Sequence, residues 1–455
     1  MAGALLLHGL PVMAAPEMPA RASGMVAAPV AAPVADLPAP APTAPVAPPQ
    51  TPPAAPPPVA PGAGTPVAPP RTTAAKPKPP APPPPEAKIS QDPQPSFHPD
   101  TATMLTHAAA AYAAIAARGG WPALPEMPAL KPGQSSPLLP LLRQRLAIEG
   151  DHRDPIGEGE TYDPALVAAV RRFQFRHGLP ETGLVGPATQ KALNVPVEDR
   201  VRQLAYSAQR IAQSTFGFGN RHIVVNLPSA AVEAVENGAV ARRYVAVVGD
   251  REHPSPMVDA RVGAINFHPT WTVPISIIRN EIIPKMRKDP GYLAKAKIRI
   301  YGASGREFDP AAIDWNGTGA VNYTLRQDSG TGNSLGLVRI AMPNRHAVYM
   351  HDTPAKRFFG RDFRFLSHGC VRVSGVADLV AWILAPRGWS KDQVQAAMAS
   401  AERKDVALPQ PVPVAWVYLT GFVTPDGTVH FRDDVYGLDR PDPSDPVTTA
   451  SVRRN

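Results

Sequence analysis

The chain has a single cysteine, Cys370, set in Ser367-His368-Gly369-Cys370-Val371-Arg372-Val373. Fifteen residues separate that segment from His351, which ends the apolar run Ala347-Val348-Tyr349-Met350. A thiolate is a strong nucleophile, and an imidazole within hydrogen-bond reach can generate and hold it. Gly369 leaves room for a substrate backbone beside the sulfur. Backbone N–H groups around Cys370 suit the oxyanion of a tetrahedral intermediate. These residues read as a cysteine acyl-transfer site that needs no metal or organic cofactor. Two other readings compete with it. A lone cysteine is often a small buried hydrophobe. His351, His368 and Cys370 are also all zinc-ligand types, but the spacing supplies no CxxC or HxxxH pair and no fourth ligand.

The neighbouring residues have candidate roles of their own. Arg372, two residues past the sulfur, can pair with a substrate carboxylate or lower the thiol pKa. Ser367 and His368 shape the cysteine loop or bind substrate. His368 alternates with Cys370, so in an extended segment both face one side, and His368 stays open as the base. Asp352 can orient His351 through its carbonyl or its side chain. Tyr349 shares a strand face with His351 and suits a pocket wall.

The set His351, then Ser367-His368-Gly369-Cys370-Val371-Arg372, resembles the active-site signature of L,D-transpeptidases with a YkuD-type catalytic domain. The longer run HDTPAKRFFGRDFRFLSHGCVRV is similar to the large YcbB-like branch. Words around Trp271 and around Arg326 also resemble that branch, which implies that both residues line the pocket. Ser329-Gly330 and Ser334-Leu335-Gly336 depart slightly from its pattern. The resemblance implies a mostly β fold, with the cysteine loop facing the histidine strand. It also implies Cys370 as nucleophile and His351 as base.

The elements that must carry this site occupy only part of the chain. There are 59 prolines in 455 residues, roughly half of them in the first hundred, where no core can form. Residues 1–15 are an apolar run like the later part of a secretory signal, without its basic start. Residues 16–98 read as a disordered, Pro/Ala-rich polyproline linker with a reach on the order of 200 Å. Net charge is +8, which favours anionic partners such as an acidic wall polymer. No basic block with interleaved aromatics argues for nucleic acid.

Residues 99–135 begin with an alanine-rich helix. Residues 136–195 read as a small three-helix domain, with Leu139, Leu142 and Leu146 at helical spacing and Asp163-Pro164 opening a second helix. The words LRQRL and YDPALVAAVRRFQFRHGLPETGLVGPATQKALN resemble a peptidoglycan-binding module, in which Arg171, Arg172 and Arg176 could face an anionic glycan-peptide. A connecting helix covers 196–219. From 220 to 440 the runs are short and β-branched, as in a β-rich catalytic domain. A basic, helix-like insertion near 279–319 is placed as a lid. Val414 to Phe431 reads as a closing hairpin, and 441–455 as a disordered tail.

The expected architecture is therefore multi-domain α+β: a disordered Pro-rich N-terminus, a three-helix peptidoglycan-binding-like domain, and a mostly β YkuD-type domain with a helical lid insertion. The resemblance implies a cell-wall enzyme of the periplasm or cell envelope, whose partners are peptidoglycan stem peptides and glycan. It implies 3→3 cross-linking through a Cys370 thioester, and with it a role in cell-wall organisation and cell shape. An L,D-carboxypeptidase or cross-link hydrolase would use the same thiolate. A non-catalytic wall-binding protein would keep Cys370 unreactive. An inner-membrane tether and the oligomeric state stay open.

Overall fold

Helical spacing in the sequence becomes helices in the first folded part of the chain. These are α1 (Thr101–Ala117), α2 (Leu139–Ile148), α3 (Pro164–Arg176), α4 (Pro187–Leu193) and α5 (Val197–Ile211). Asp163 accepts a hydrogen bond from Leu166 N at 2.8 Å, and Pro164 takes the first position of α3. Leu139, Leu142 and Leu146 are fully buried with Leu166, Val170 and Phe173, so α2 and α3 share one core. The computed structural model describes residues 86–152, 159–317 and 319–440, all within one compact unit, Pro79–Asn455. The signal-like segment and the tail lie outside the described residues, as does the linker up to residue 85. Among the described residues no helix is long and apolar enough to cross a membrane.

The β-branched runs form the β-rich domain. They begin with β1 (Arg221–Asn226), β2 (Ala231–Glu236), β3 (Ala239–Gly249) and β4 (Val258–Phe267). The insertion follows: β5 (Trp271–Thr272), α6 (Ile275–Ile277), a π-turn at Ile278–Ile282, α7 (Ile283–Lys288), α8 (Tyr292–Lys295), β6 (Ile298–Tyr301), β7 (Glu307–Phe308) and β8 (Thr324–Gln327). The insertion adds strands to the expected helices, in the order β5-β8-β6-β7, and has its own core of Ile278, Ile282, Met286, Leu293, Ile300 and Leu325. The π-turn precedes Pro284, which has no amide to donate and crowds the preceding turn.

The chain returns through β9 (Val338–Ala341), β10 (Met350–His351), β11 (Phe365–Ser367), β12 (Val371–Val373), α9 (Val376–Leu384), α10 (Lys391–Ala399), β13 (Lys404–Val417), β14 (Gly421–Val423) and β15 (Val429–Phe431). Strand order in the main sheet is β11-β3-β12-β10-β9-β4-β13-β1-β2, and β2 pairs again with β3. The long β3 meets β2 through its first part and β12 through its end, so the ring of pairings closes and β11 hangs on β3. Closure leaves no free edge in the ring. The expected closing hairpin is corrected here. Residues 404–417 form one barrel strand, parallel to β1, and only β14 and β15 make a hairpin.

Several strands are buried on both faces, which is why they read as continuous apolar runs. Ile223 and Val225 of β1 join the main core, whereas Val224 meets Leu105 and Tyr112 of α1 and Leu204 of α5. Ala246 and Val248 of β3 also join the main core, whereas Val245 and Val247 meet Phe359 and the arm before α1.

That arm corrects the predicted linker boundary at 98. Residues 86–98 are bonded to the β-rich domain. Ala87 N donates to Phe359 O at 2.9 Å, Val240 N donates to Pro93 O, and Ser96 N donates to the Glu233 carboxylate. The arm has polar and apolar partners on the barrel that its proline-rich composition does not announce.

The arginines of the small helical domain are also placed differently from the expectation. Arg176 is buried, pairs with Asp151 and Glu149, and donates to Val429 O of β15 at 2.9 Å. Arg172 donates to the Asp151 carbonyl, and Arg171 stays exposed. Arg432 donates to Arg176 O, and His177 stacks between Phe173 and Phe431. The small module is thus bonded to the β14–β15 hairpin through buried charge.

Candidate active site

The pairing of β10 with β12 builds the site. The two strands are parallel, with Met350 opposite Val371 and His351 opposite Arg372. Val371 N donates to Tyr349 O at 3.1 Å, which extends the register back to Cys370. Successive residues of a strand face opposite sides. Met350, Val371 and Val373 enter the barrel core, so Tyr349, His351, Cys370 and Arg372 share the other face. The register continues across the sheet: His351 is opposite Arg339 of β9, Arg339 opposite Asn266 of β4, and Asn266 opposite Asp405 of β13. One row therefore reads Arg372, His351, Arg339, Asn266, Asp405.

The sequence candidates separate on this frame. His351 is buried, and its Nδ1 lies 2.5 Å from the Asp352 carbonyl. A carbonyl only accepts, so Nδ1 carries the proton, and the Leu335 backbone also bonds the ring. The Asp352 side chain does other work. Its carboxylate accepts from Leu337 N at 2.9 Å and pairs with Lys356. It packs so closely on Gly336 that a Cβ there would sit 2.4 Å from Oδ2, and Gly336 also has φ +62°. Asp352 thus orients the base through its backbone and holds the turn before β9 through its side chain.

The cysteine loop is shaped from within. Gly369 has φ +105°, a conformation glycine adopts without strain. Ser367 Oγ donates to Cys370 O at 2.6 Å and accepts from Gly369 N, and Ser255 Oγ donates to Gly369 O at 2.7 Å. His368 leaves this face: its Nε2 lies 3.1 Å from Glu281 Oε1 in the π-turn of the insertion, and its ring lies against His253. Gly369 breaks the extended alternation that would have set His368 beside the sulfur. Tyr349 lies within hydrogen-bonding reach of the Cys370 thiol, and the Trp271 ring N–H reaches the Tyr349 hydroxyl. Trp271 is thereby brought to the site from the first strand of the insertion. Arg326 is not. It is exposed, and its guanidinium lies over Tyr301 at 4.3 Å.

Sequence reasoning missed Arg339, Glu281 and Asn266. Arg339 is a single charge between Val338 and Ile340, and only alternation marks it as outward-facing. Nothing local marks Glu281 as a partner of the cysteine loop.

Burial pushes the Cys370 thiol up, and Tyr349, Arg372 and Arg339 only partly oppose it. Burial, then the Arg372 charge, push His351 down to about 4, with its backbone hydrogen bonds opposing. At pH 7 the resting state is therefore a neutral thiol and a neutral imidazole on one sheet face, not a thiolate–imidazolium pair. Thiolate forms as pH rises, so iodoacetamide labelling of Cys370 is expected to rise about tenfold per pH unit between pH 6 and 8. Intact-mass kinetics measure this, and a plateau between pH 5 and 8 would show a preformed thiolate.

Residues 220–411 match the YkuD family, described as an L,D-transpeptidase catalytic domain. Residues 135–193 match a family described as "Putative peptidoglycan binding domain". A Haemophilus influenzae protein named "Putative L,D-transpeptidase" is 31% identical over 240 residues, 52% of this chain and 48% of that protein. The chain thus spans about half the length of the curated relative it matches. Among solved structures, the L,D-transpeptidase of Xylanimonas cellulosilytica (residues 123–326) is 18% identical, with a TM-score of 0.22, covering 64% of this chain and 98% of that one. The L,D-transpeptidase of Stackebrandtia nassauensis is 12% identical, with a TM-score of 0.24, covering 63% and 94%. Residues 220–411, which hold the His351–Cys370 face, thus match the YkuD family of L,D-transpeptidase catalytic domains, and residues 135–193 of the same chain match the peptidoglycan-binding family.

Proposed function

We propose that the protein is a peptidoglycan L,D-transpeptidase that forms 3→3 cross-links between stem peptides in the cell envelope. The observation that carries the proposal is a buried, neutral His351 with Nδ1 held by the Asp352 carbonyl, on one sheet face with the only cysteine. Cys370 Sγ attacks the carbonyl of the third stem residue as its proton passes to His351 Nε2. The tetrahedral oxyanion is met by loop amides. Gly369 N is already bonded to Ser367, which leaves Cys370 N as the candidate donor. The C–N bond breaks, the departing D-alanine amine takes the proton from His351, and a thioester remains. The side-chain amine of a second stem then attacks the thioester, His351 accepts its proton, and Cys370 is released as a thiol.

Mass spectrometry of the full chain with a disaccharide-tetrapeptide tests this. A dimer one D-alanine lighter than two monomers supports the transpeptidase. Tripeptide alone points to the carboxypeptidase, and a free thiol with no product points to the wall-binding reading.

Water competes with the amine for the thioester, so exclusion of water favours transfer. The insertion touches the cysteine loop through Glu281 and His368, both partly exposed. Such a pair is worth at most about 1 kcal/mol, or up to about fivefold. Glu281→Gln is expected to raise the tripeptide-to-dimer ratio by about two- to fivefold in the same assay. An unchanged ratio would remove Glu281 from control of water.

A further inference from the structure

We infer that Arg339 is a specificity residue that pairs with the C-terminal carboxylate of the acyl-donor peptide, so that Cys370 attacks the last peptide bond of its donor. The inference rests on the transpeptidase reading above. It starts from the register of the sheet. Arg339 stands opposite His351 on the side away from Arg372, so the two arginines flank the base in one row. Their surroundings differ. Arg372 lies in the field of Glu281, and its guanidinium lies 5.7 Å from the Phe358 ring.

Arg339 is aimed but unpaired. Its Nε donates to Asn266 Oδ1 at 2.9 Å, and Asn266 is in turn fixed by donating to Asp405 Oδ1 at 2.7 Å. Its guanidinium lies 5.5 Å from the Tyr349 ring, and Tyr349 stands opposite Cys370 in the register. Among the described residues no carboxylate pairs with Arg339. A guanidinium held through Nε presents its two terminal nitrogens as a fork, which matches a carboxylate.

The geometry suits a group one residue past the reacting carbonyl. Strands β12 and β9 are two spacings apart, about 10 Å. The Arg339 side chain reaches back over Tyr349, the residue opposite Cys370 in the register, and one extended residue spans about 3.5 Å. A donor that loses one terminal amino acid carries its carboxylate at that distance from the bond that breaks. An internal peptide bond has a neutral amide there and leaves Arg339 unmatched.

The test compares the disaccharide-tetrapeptide with its C-terminal amide on the full chain, following release of the terminal residue. A charge-assisted pair supports a preference for the acid of about 10- to 100-fold in kcat/KM. Arg339→Gln is expected to bring that ratio near one, chiefly by raising KM for the acid, while the lost charge near the Cys370 thiol acts on both peptides alike. Arg339→Lys should restore part of the preference, and Asn266→Ala should weaken it. The ratio does not depend on the folded fraction, so partial misfolding does not mimic the result. An acid-to-amide ratio in Arg339→Gln equal to wild type would overturn the inference. If wild type releases nothing from either peptide, the transpeptidase reading fails, and calorimetric binding of acid and amide to the Cys370→Ala chain then decides. Loss of the acid preference on adding Arg339→Gln keeps Arg339 as the carboxylate site; equal binding of both peptides removes it.

Discussion

Cys370→Ala is expected to release no D-alanine and to form no covalent adduct with the tetrapeptide, whereas His351→Ala is expected to lose about 10²- to 10⁴-fold in rate at pH 7. The two losses have different causes. Alanine at 370 removes the nucleophile. Alanine at 351 removes the base from a thiol whose pKa burial has already pushed up, so almost no thiolate forms at neutral pH. The His351→Ala defect should therefore shrink toward pH 10, where hydroxide takes the proton instead. In wild type the base is neutral above about pH 5, because burial and Arg372 hold His351 near 4. The acid limb of kcat/KM should accordingly lie well below the ordinary histidine range. His368→Ala should cost only a few-fold, since its ring is bonded to Glu281 rather than to the sulfur. A rate profile in which His368→Ala fell as far as His351→Ala, with no recovery at high pH in either, would reassign the base.

Arg176→Ala is expected to destabilise the protein by about 3–5 kcal/mol, read as a lower urea midpoint at pH 7. The residue compensates two buried carboxylates. Burial alone would raise the Glu149 carboxyl, but Arg145 and Arg176 outweigh burial and hold it well below the usual range. Burial raises Asp151, and Arg176 offsets this only in part. Removing Arg176 leaves both carboxylates with too little positive charge in a dry site. It also breaks the bond to Val429 O, so the small module should loosen from the β14–β15 hairpin.

The sign of the pH effect follows from Glu149. Its folded pKa is depressed, so its contribution is fully present above the unfolded value near 4.3 and is lost as pH falls below it. Adding Glu149→Gln to Arg176→Ala should recover part of the loss, with a coupling of about 0.5–3 kcal/mol. Independent, additive losses would mean the network carries no shared energy.

Much of this fold was readable locally. Asp163-Pro164 announces the start of α3, and the leucines of α2 announce their buried face, because caps and periodicity act over a few residues. The apolar run ending at His351 and the segment around Cys370 were likewise legible as a strand end and a loop. The insertion was only half legible. Residues 279–299 are basic and look helical throughout, yet Ile298–Tyr301 is a strand because β8 lies beside it. The arm at 86–98 looked like linker because its partners, Phe359, Val240 and Glu233, lie far along the chain. Arg176 looked like a solvated helix charge, since nothing within α3 shows that the hairpin of the other domain covers it.

By itself, the sequence determined which groups are available for chemistry and which short elements carry them: one thiol, one histidine at a strand end, and a loop that glycine can turn. Only the tertiary structure decided which groups meet. Pairing register between distant strands sets Arg339 and Arg372 on either side of His351, and φ +105° at Gly369 goes with His368 turned away to Glu281. The physical reason is range. Propensity, capping and alternation are properties of neighbours along the chain, whereas register and burial depend on closing a sheet whose strands come from both ends of the domain.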